Sequence, residues 1–344
     1  MEIIHYTEEH RIFREAARKF FAKEVIPYAD AWEAAGRVPK DVWRKMGDQG
    51  FLCMDVPEEY GGMGADFLYS VILTEELGRT GNTGLAAPLH SDIVVPYITA
   101  FASEELKRKY LPGCISGERI TAVAMTEPNT GSDLAAIRTT AVEDGDQVVI
   151  NGQKTFISNG LNCGLVVLAA KDPSVENPYQ AIDLYLVEEG TPGFEKGNKI
   201  RKVGWHSQDT AELFFSDCRI PKTHRLGQKG GGFMMLMEKL QQERLMCCII
   251  AVAAAERMLE MTIQYCRERT AFGRPLSKFQ NTQFKIVEMA TEIRLGRTFV
   301  DKLVVDHMEG ANVVVNVSMG KYWTSEMAMR VADQCVQLHG GYGY

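Results

Sequence analysis

The sequence predicts an α+β protein of several domains, in which a helical block, a β block and a second helical block follow one another over 344 residues. Apolar residues recur at helical spacing up to about residue 120 and again from about residue 229. Residues 121–228 instead carry short apolar runs separated by turn dipeptides. Because segregated blocks argue against a doubly wound α/β sheet, we expect domains at residues 1–120, 121–228 and 229–344.

The first block opens with a predicted helix capped by Thr7. The acidic residues Glu8 and Glu9 follow the cap and favour the positive end of a helix dipole. Residues 57–62 predict a loop because they combine proline and two glycines. Further helices are predicted over residues 66–79, 89–102 and 103–111, the last of them exposed and ended by Pro112 and Gly113.

The second block contains the strongest turn signals of the chain. Residues 139–158 predict three strands separated by Asp144-Gly145-Asp146 and by Asn151-Gly152, since these dipeptides favour hairpins. The apolar run 120–125 precedes them. Further strands are predicted over residues 164–170, 182–187 and 211–216, with Pro221 closing the block.

The third block follows the glycine cluster 227–232. Residues 233–268 predict one helix about 50 Å long at 1.5 Å per residue, and residues 277–307 and 313–339 predict two more. Gly230-Gly231-Gly232 does not match a dinucleotide-binding or P-loop motif, so we interpret it as a flexible entry to the long helix.

Composition and charge narrow the class of protein. Apolar residues make up 45% and charged residues 24% of the chain, which is typical of a folded globular protein and excludes a disordered or collagen-like one. The formal charge of −7 argues against a nucleic-acid-binding protein. The basic cluster Lys107-Arg108-Lys109 fits the solvated face of a helix.

The eight cysteines form no CxxC pair, and most lie in apolar runs. This pattern predicts reduced core thiols and no bound metal, because a zinc site needs clustered ligands. No apolar run reaches the roughly 20 residues of a membrane span, and residues 1–5 lack the features of a signal peptide. We expect a cytoplasmic protein in a bacterium, or a mitochondrial-matrix protein in a eukaryote.

Three segments contain candidate functional residues. The polar segment 125–133 follows an apolar run and is either a surface loop or a loop that binds a polar ring and a phosphate. Glu243 lies in an apolar helix and is either solvated or a desolvated general base. Arg269 either ends its helix or binds phosphate. His206 and His339 have no Ser or Cys partner at a recognisable spacing, so a hydrolase triad is not supported.

Seven motifs follow one another along the chain: PEEYGG (57–62), AMTEPNTGSD (124–133), NGQKTFISNG (151–160), QDTAELFF (208–215), QERL (242–245), RERTAFGRPLSKFQ (267–280) and QLHGGYGY (337–344). In this order they resemble those of the acyl-CoA dehydrogenase family, and most closely its long-chain branch. The resemblance implies an N-terminal helical domain, a middle β-barrel-like domain and a C-terminal four-helix bundle. It also implies that this bundle is incomplete here, shorter by roughly 30–45 residues.

The resemblance implies FAD as the cofactor and an acyl-CoA thioester as the substrate. Met125 and Thr126 would contact the pyrimidine edge of the flavin, and Ser132 would bind a phosphate region. Phe156 would cover the isoalloxazine ring, and Ser158 would hydrogen-bond near flavin N5. The neighbouring subunit would contribute Arg269, Phe272, Gln280, Gln337, Gly340 and Gly341 to the pyrophosphate and adenine side. Because the cofactor is then shared between subunits, we expect a homo-oligomer, specifically a tetramer.

The same resemblance assigns the catalytic base. In most relatives it is a glutamate after the GGxGY segment, at a position that would lie beyond Tyr344. In the long-chain and isovaleryl branches it lies on the long helix immediately before an arginine, which Glu243-Arg244 matches. Glu243 would remove the α-proton while a hydride leaves the β-carbon for flavin N5, giving a trans-2-enoyl-CoA. The main-chain N–H of the base and a ribityl hydroxyl would stabilise the developing enolate.

Arg244 and Ser132 would bind the substrate, and an electron-transferring flavoprotein would accept the electrons. Two other functions of this fold remain open. One is an oxygen-using enzyme, either an acyl-CoA oxidase or a flavin monooxygenase; the base–arginine pair argues against a monooxygenase. The other is a non-catalytic flavoprotein that binds DNA or a protein partner, against which the acidic charge argues. The branch resemblance favours medium or long straight acyl chains.

Overall fold

The computed structural model describes residues 3–82 and 84–344 and divides into two compact units. The first unit contains the chain up to Ile26, Phe67–Gly81 and Gln241–Tyr344. The second contains Pro27–Asp66 and Asn82–Leu240. The order of helical, β and helical blocks is confirmed.

Helices form most of the first and third blocks, as predicted. A π-helical turn, Leu89–Val94, directly precedes the helix that begins at Val95. The α-helices are α1 (Glu8–Glu24), α2 (Ala29–Ala35), α3 (Lys40–Asp48), α4 (Phe67–Arg79), α5 (Val95–Phe101), α6 (Glu104–Ile115), α7 (Pro178–Ala181), α8 (Gly232–Glu268), α9 (Gln280–Met308) and α10 (Val314–His339).

The middle block forms an eight-stranded sheet within the described residues, in the order β6-β7-β3-β2-β4-β5-β8, with β1 paired to β4. A separate two-stranded ribbon joins β9 and β10. The strands are β1 (Thr121–Ala124), β2 (Thr140–Asp144), β3 (Gln147–Ile157), β4 (Leu165–Lys171), β5 (Ile182–Glu188), β6 (Phe194–Lys199), β7 (Ala211–Pro221), β8 (Arg225–Leu226), β9 (Thr270–Ala271) and β10 (Arg274–Pro275).

Strands β1 and β2 occupy the same edge of β4 one after the other. β1 runs parallel to β4 with Thr121 opposite Leu165, and β2 reaches β4 only where Thr140 faces Lys171. The chain therefore leaves the sheet after β1 and rejoins it at β2. The intervening loop contains the polar segment 125–133. Six of the seven residues of β4 are buried, as expected for a central strand.

Two local predictions were wrong, and one strand was not predicted. Asn151-Gly152 lies inside β3 and not in a turn, because Gly152 forms a bulge where a side chain would come within 2.5 Å of the Thr139 hydroxyl. Helix α6 continues past Pro112, whose carbonyl accepts the Ser116 N–H at 3.0 Å, and its face containing Tyr110 is buried. Strand β6 was missed because its sequence, FEKGNK, shows no apolar alternation.

Buried His90 fixes the start of β1 in the second unit. The Thr121 N–H donates to His90 Nδ1 at 3.0 Å, and His90 Nε2 lies 3.0 Å from the Cys114 carbonyl oxygen. An imidazole that accepts at Nδ1 and donates at Nε2 is neutral. Burial lowers the pKa of His90 to about 4, although the Cys114 contact favours the protonated form.

We expect His90 to make stability depend on pH below neutrality. Its pKa in the folded chain lies below the ordinary value of 6.5, so the unfolded chain binds the extra proton first. Stability is therefore full above pH 6.5 and falls as the pH drops towards 4, by about 3 kcal/mol for a shift of this size. Urea unfolding across this range should give a steeper decline for the wild type than for His90→Gln. Parallel curves would contradict this assignment.

The first unit is built from α1, α4, α9, α10 and the part of α8 from Gln241 onward. Thr7 caps α1 as predicted, with its hydroxyl accepting the His10 N–H. Glycines allow close helix packing: a side chain at Gly78 on α4 would meet Ile250 of α8 at 3.1 Å, and one at Gly296 would meet Trp323 at 3.1 Å.

A buried ionic network joins four helices of this unit. The Arg297 guanidinium on α9 binds both carboxylate oxygens of Glu256 on α8 at 2.9 Å, contacts Glu75 on α4, and lies 3.5 Å from Asp301. Glu75 is also 2.8 Å from Arg14 on α1. Burial raises the pKa of Asp301 to about 6, against the opposing effect of Arg297. Arg297 is therefore the cation on which three carboxylates converge.

Within the described ranges, no helix combines the length and the apolar character needed to cross a membrane. The same residues contain no group of three or more potential ligands placed to hold a metal ion. All eight cysteines lie in the described part of the chain without a disulfide, and only Cys247 is exposed.

Candidate active site

The loop between β1 and β2 is closed by its own hydrogen bonds. Glu127 and Thr130 exchange main-chain bonds of 2.9 and 3.0 Å, and the Thr130 hydroxyl donates to the Ala136 carbonyl at 3.2 Å. The Glu127 carboxylate accepts the main-chain N–H groups of Arg138 at 2.6 Å and Thr139 at 2.9 Å. These bonds hold the loop in one conformation and leave Ser132 exposed.

Lys154 of β3 is hydrogen-bonded to this loop through its side chain. Its side chain is 0% exposed, and its ammonium donates to the Glu127 carboxylate at 2.8 Å and to the Met125 carbonyl at 2.9 Å. The next residue, Thr155, donates its N–H to the Thr126 carbonyl at 2.9 Å. Burial lowers the pKa of Lys154 to about 8. Burial alone would raise the pKa of Glu127, but the Lys154 charge keeps it below its ordinary value.

Phe156 lies beside this anchor in an unusual conformation. Its φ of +58° is in the left-handed region, its side chain is 63% exposed, and the pairing of β3 is irregular between Lys154 and Ile157. Positive φ is a strained conformation for a bulky residue, and such strain clusters at functional sites. Half-buried Ser158 follows, and buried Asn159 binds the Thr121 carbonyl and Gln208.

The structure thus joins Met125 and Thr126 to the part of β3 that continues into Phe156 and Ser158, the four residues that the resemblance predicts at the flavin. An exposed aromatic ring, two half-buried hydroxyl side chains and a fixed main-chain segment fit a flat ring with polar edges. Sequence reasoning missed Lys154, although a lysine at an inward position of a β pattern was the available signal.

Glu243 and Arg244 are half-buried on α8. The Glu243 carboxylate and the Lys321 ammonium lie close enough to the Cys247 thiol to shift its pKa in opposite directions, upward and downward respectively. Because Glu243 is inside α8, its N–H belongs to the helical hydrogen-bond ladder. The expectation that this N–H stabilises an enolate is therefore wrong for residue 243.

A cavity of about 420 Å³ is lined by some of the residues that are predicted to bind the pyrophosphate and adenine side of FAD. Arg269, Gly340 and Gly341 line it together with His339 and aromatic residues. Phe272 is 95% exposed on the loop after β9, with a φ of +51°. Gln280 begins α9 and Gln337 lies near the end of α10, both exposed. None of these last three lines the cavity.

Another cavity of about 620 Å³ lies between α8 and α9. Apolar side chains such as Leu259, Ile263 and Val287 line it, with Arg297 at its edge. It contains none of the predicted site residues.

Family comparisons cover nearly the whole chain. Residues 7–118 match the acyl-CoA dehydrogenase N-terminal domain, residues 122–218 the middle domain and residues 230–344 the C-terminal domain. The chain belongs to the acyl-CoA dehydrogenase family. The long-chain specific acyl-CoA dehydrogenase of Rattus norvegicus is 44% identical over 340 residues, which are 98% of this chain and 79% of the relative.

Solved structures agree with this family. The acyl-CoA dehydrogenase from Geobacillus kaustophilus is 55% identical with a TM-score of 0.97, covering 99% of this chain and 90% of that one. A glutaryl-CoA dehydrogenase from Mycobacterium smegmatis, solved in complex with FADH2, is 28% identical with a TM-score of 0.90, covering 98% and 86%. This acyl-CoA dehydrogenase is thus a flavin-dependent oxidoreductase that uses FAD.

Proposed function

We propose that this acyl-CoA dehydrogenase converts a medium- or long-chain straight acyl-CoA into the trans-2-enoyl-CoA, within fatty-acid catabolism. The observation that carries the proposal is the anchored loop 125–133 beside the strained, exposed ring of Phe156. Family membership and the Glu243-Arg244 pair on α8 support the same reaction.

We propose that FAD is bound by two sets of residues, one from each of two neighbouring subunits. Met125 and Thr126 hold the pyrimidine edge of FAD, Phe156 covers its ring, Ser158 binds near N5, and Ser132 takes a phosphate. The second set, from a neighbouring subunit, holds the pyrophosphate and adenine. It comprises Arg269, Phe272, Gln280, Gln337, Gly340 and Gly341. Their exposure suits contacts with another subunit, and we propose a homotetramer.

When bound, FAD supplies the acceptor for the hydride that leaves the substrate β-carbon. In our proposal, Glu243 removes the pro-R α-proton and Arg244 binds the substrate beside it. Glu243 is half-buried, and buried Leu245 and Met246 follow it on α8. A carboxylate that loses water neighbours is a stronger base, which suits it to a weakly acidic α-proton.

We also propose an electron-transferring flavoprotein as the electron acceptor, and a cytoplasmic or mitochondrial-matrix location. The proposed domains are residues 1–120, 121–228 and 229–344. Titration of the FAD absorbance with acyl-CoAs of increasing length and branching tests the proposal. Bleaching with straight chains and no hydrogen peroxide during aerobic turnover supports it, whereas stoichiometric peroxide would identify an oxidase.

We expect Arg269→Ala to weaken FAD retention. Arg269 lines a cavity with Gly340 and Gly341, and its guanidinium is suited to binding a pyrophosphate. Loss of a charged hydrogen-bonding partner costs about 1.5–3 kcal/mol, or roughly 10–150-fold in affinity. The FAD content after gel filtration measures this effect. Arg267→Ala, which changes an exposed arginine one half-turn earlier, is the control. Equal FAD contents in both variants would contradict the assignment.

A further inference from the structure

We propose that Lys154 is a positioning residue for the flavin, which fixes the Met125–Thr126 peptide and makes the flavin easier to reduce. This inference rests on the proposed placement of FAD at Met125 and Thr126. Lys154 lies within the motif at residues 151–160, but the family resemblance implies no role for it. In this proposal its side chain contacts neither the substrate nor FAD.

The position of the ammonium supports the first part. Lys154 donates to the Met125 carbonyl at 2.9 Å and to Glu127 at 2.8 Å, while the Thr155 N–H holds the Thr126 carbonyl at 2.9 Å. Two consecutive carbonyls of the loop are therefore held by two consecutive residues of β3. The peptide between them presents its N–H, that of Thr126, from a fixed position.

The electrostatics support the second part. The Met125 carbonyl and the Thr126 N–H belong to the same peptide group, so a cation on the carbonyl polarises the N–H and strengthens the hydrogen bond it donates. Reduction adds negative charge to the flavin, and donors at its pyrimidine edge stabilise that charge. A positive charge one peptide group away therefore favours the reduced form.

A purely structural role explains the pair less well. Both side chains are almost fully buried, with Lys154 0% and Glu127 6% exposed. Burying an ion pair contributes little net stability, and an apolar pair of similar volume is often as stable. A charged pair that holds a main-chain carbonyl at the proposed flavin edge is better explained by an effect on the cofactor.

The test compares Lys154→Met with a matched lysine. Lys196 in the same unit likewise donates to a carboxylate, that of Glu189, and to main-chain carbonyls, in its case those of Leu161 and Cys163. Lys196→Met therefore reports the loss of a purely structural anchor. The readouts are the two-electron midpoint potential of bound FAD at pH 6, its absorbance spectrum and its dissociation constant.

We expect Lys154→Met to shift the reduction equilibrium at least tenfold towards oxidised flavin, about 30 mV for two electrons, and to change the spectrum. Lys196→Met should lower the melting temperature without either change. Lys154→Gln also removes the charge but keeps an N–H donor, so it should shift the potential in the same direction as Lys154→Met. Should Lys154→Met fail to fold, this second neutral variant still tests the inference.

Unchanged potentials in Lys154→Met and Lys154→Gln would overturn the inference, as would shifts of either towards reduced flavin. These outcomes are distinct from a failure of the proposed function. If the proposed function is wrong, the wild-type protein itself will not show FAD bleaching by acyl-CoA.

Discussion

Glu243→Gln is expected to leave FAD bound while reducing acyl-CoA-dependent flavin bleaching by roughly 10²–10⁴-fold, the usual contribution of a general base. Glutamine has nearly the same shape as glutamate, so the packing of half-buried residue 243 on α8 should be preserved. It cannot accept the α-proton. Stopped-flow absorbance at the flavin band under anaerobic conditions measures the rate of the chemical step directly.

Glu238→Gln is the matched control for this experiment, because it makes the same change on α8 at a side chain that is mostly exposed. It should bleach at the wild-type rate. Substantial bleaching by Glu243→Gln, together with full FAD occupancy, would exclude Glu243 as the base. Loss of FAD in Glu243→Gln would instead point to a structural role on α8.

Arg297→Met should destabilise the first unit by about 3–5 kcal/mol, the usual cost of leaving buried charges without their partner. Removing this guanidinium takes the shared cation from the carboxylates of Glu75, Glu256 and Asp301, of which Glu75 alone keeps a second one among the described residues, Arg14 at 2.8 Å. Their mutual repulsion favours protonation, so the loss should be smaller at pH 5 than at pH 8. Thermal unfolding followed by circular dichroism at both pH values measures it.

Arg330→Met provides the comparison for an exposed pair. Arg330 on α10 lies 3.1 Å from Glu292 on α9, and both side chains are more than a third exposed. Such pairs contribute about 0–1 kcal/mol. A loss in Arg297→Met no larger than in Arg330→Met would show that the buried network does not depend on its central cation.

The long helices were predictable because packing and sequence period agree in them. The predicted helix 233–268 and the observed α8, Gly232–Glu268, differ by one residue. The middle block was harder, because bulges and edge strands depend on neighbouring strands. Gly152 signals a turn locally, yet the approach of Thr139 makes it a bulge. Strand β6 forms by pairing with β7 and not by its own apolar pattern.

In the candidate site, too, local features could be predicted from the sequence, whereas contacts between distant residues could not. Motifs located the loop 125–133 and Phe156, because short segments carry their own signature. They could not show that Lys154 binds the Met125 carbonyl, since that contact joins residues 29 positions apart. They also did not show the left-handed backbone of Phe156, because the irregular pairing of β3 that accompanies it depends on β7.

That backbone has an evolutionary consequence. Glycine adopts a φ of +58° without strain, whereas a phenylalanine at this position costs about 1–3 kcal/mol. Phe156 is 63% exposed within this chain, so packing against its own residues offsets little of this cost. Selection for a more stable protein would therefore favour glycine at residue 156, and, in the role proposed above, selection for a covered cofactor would favour phenylalanine. A stability-only screen of this chain should recover the first, and this sequence carries the second.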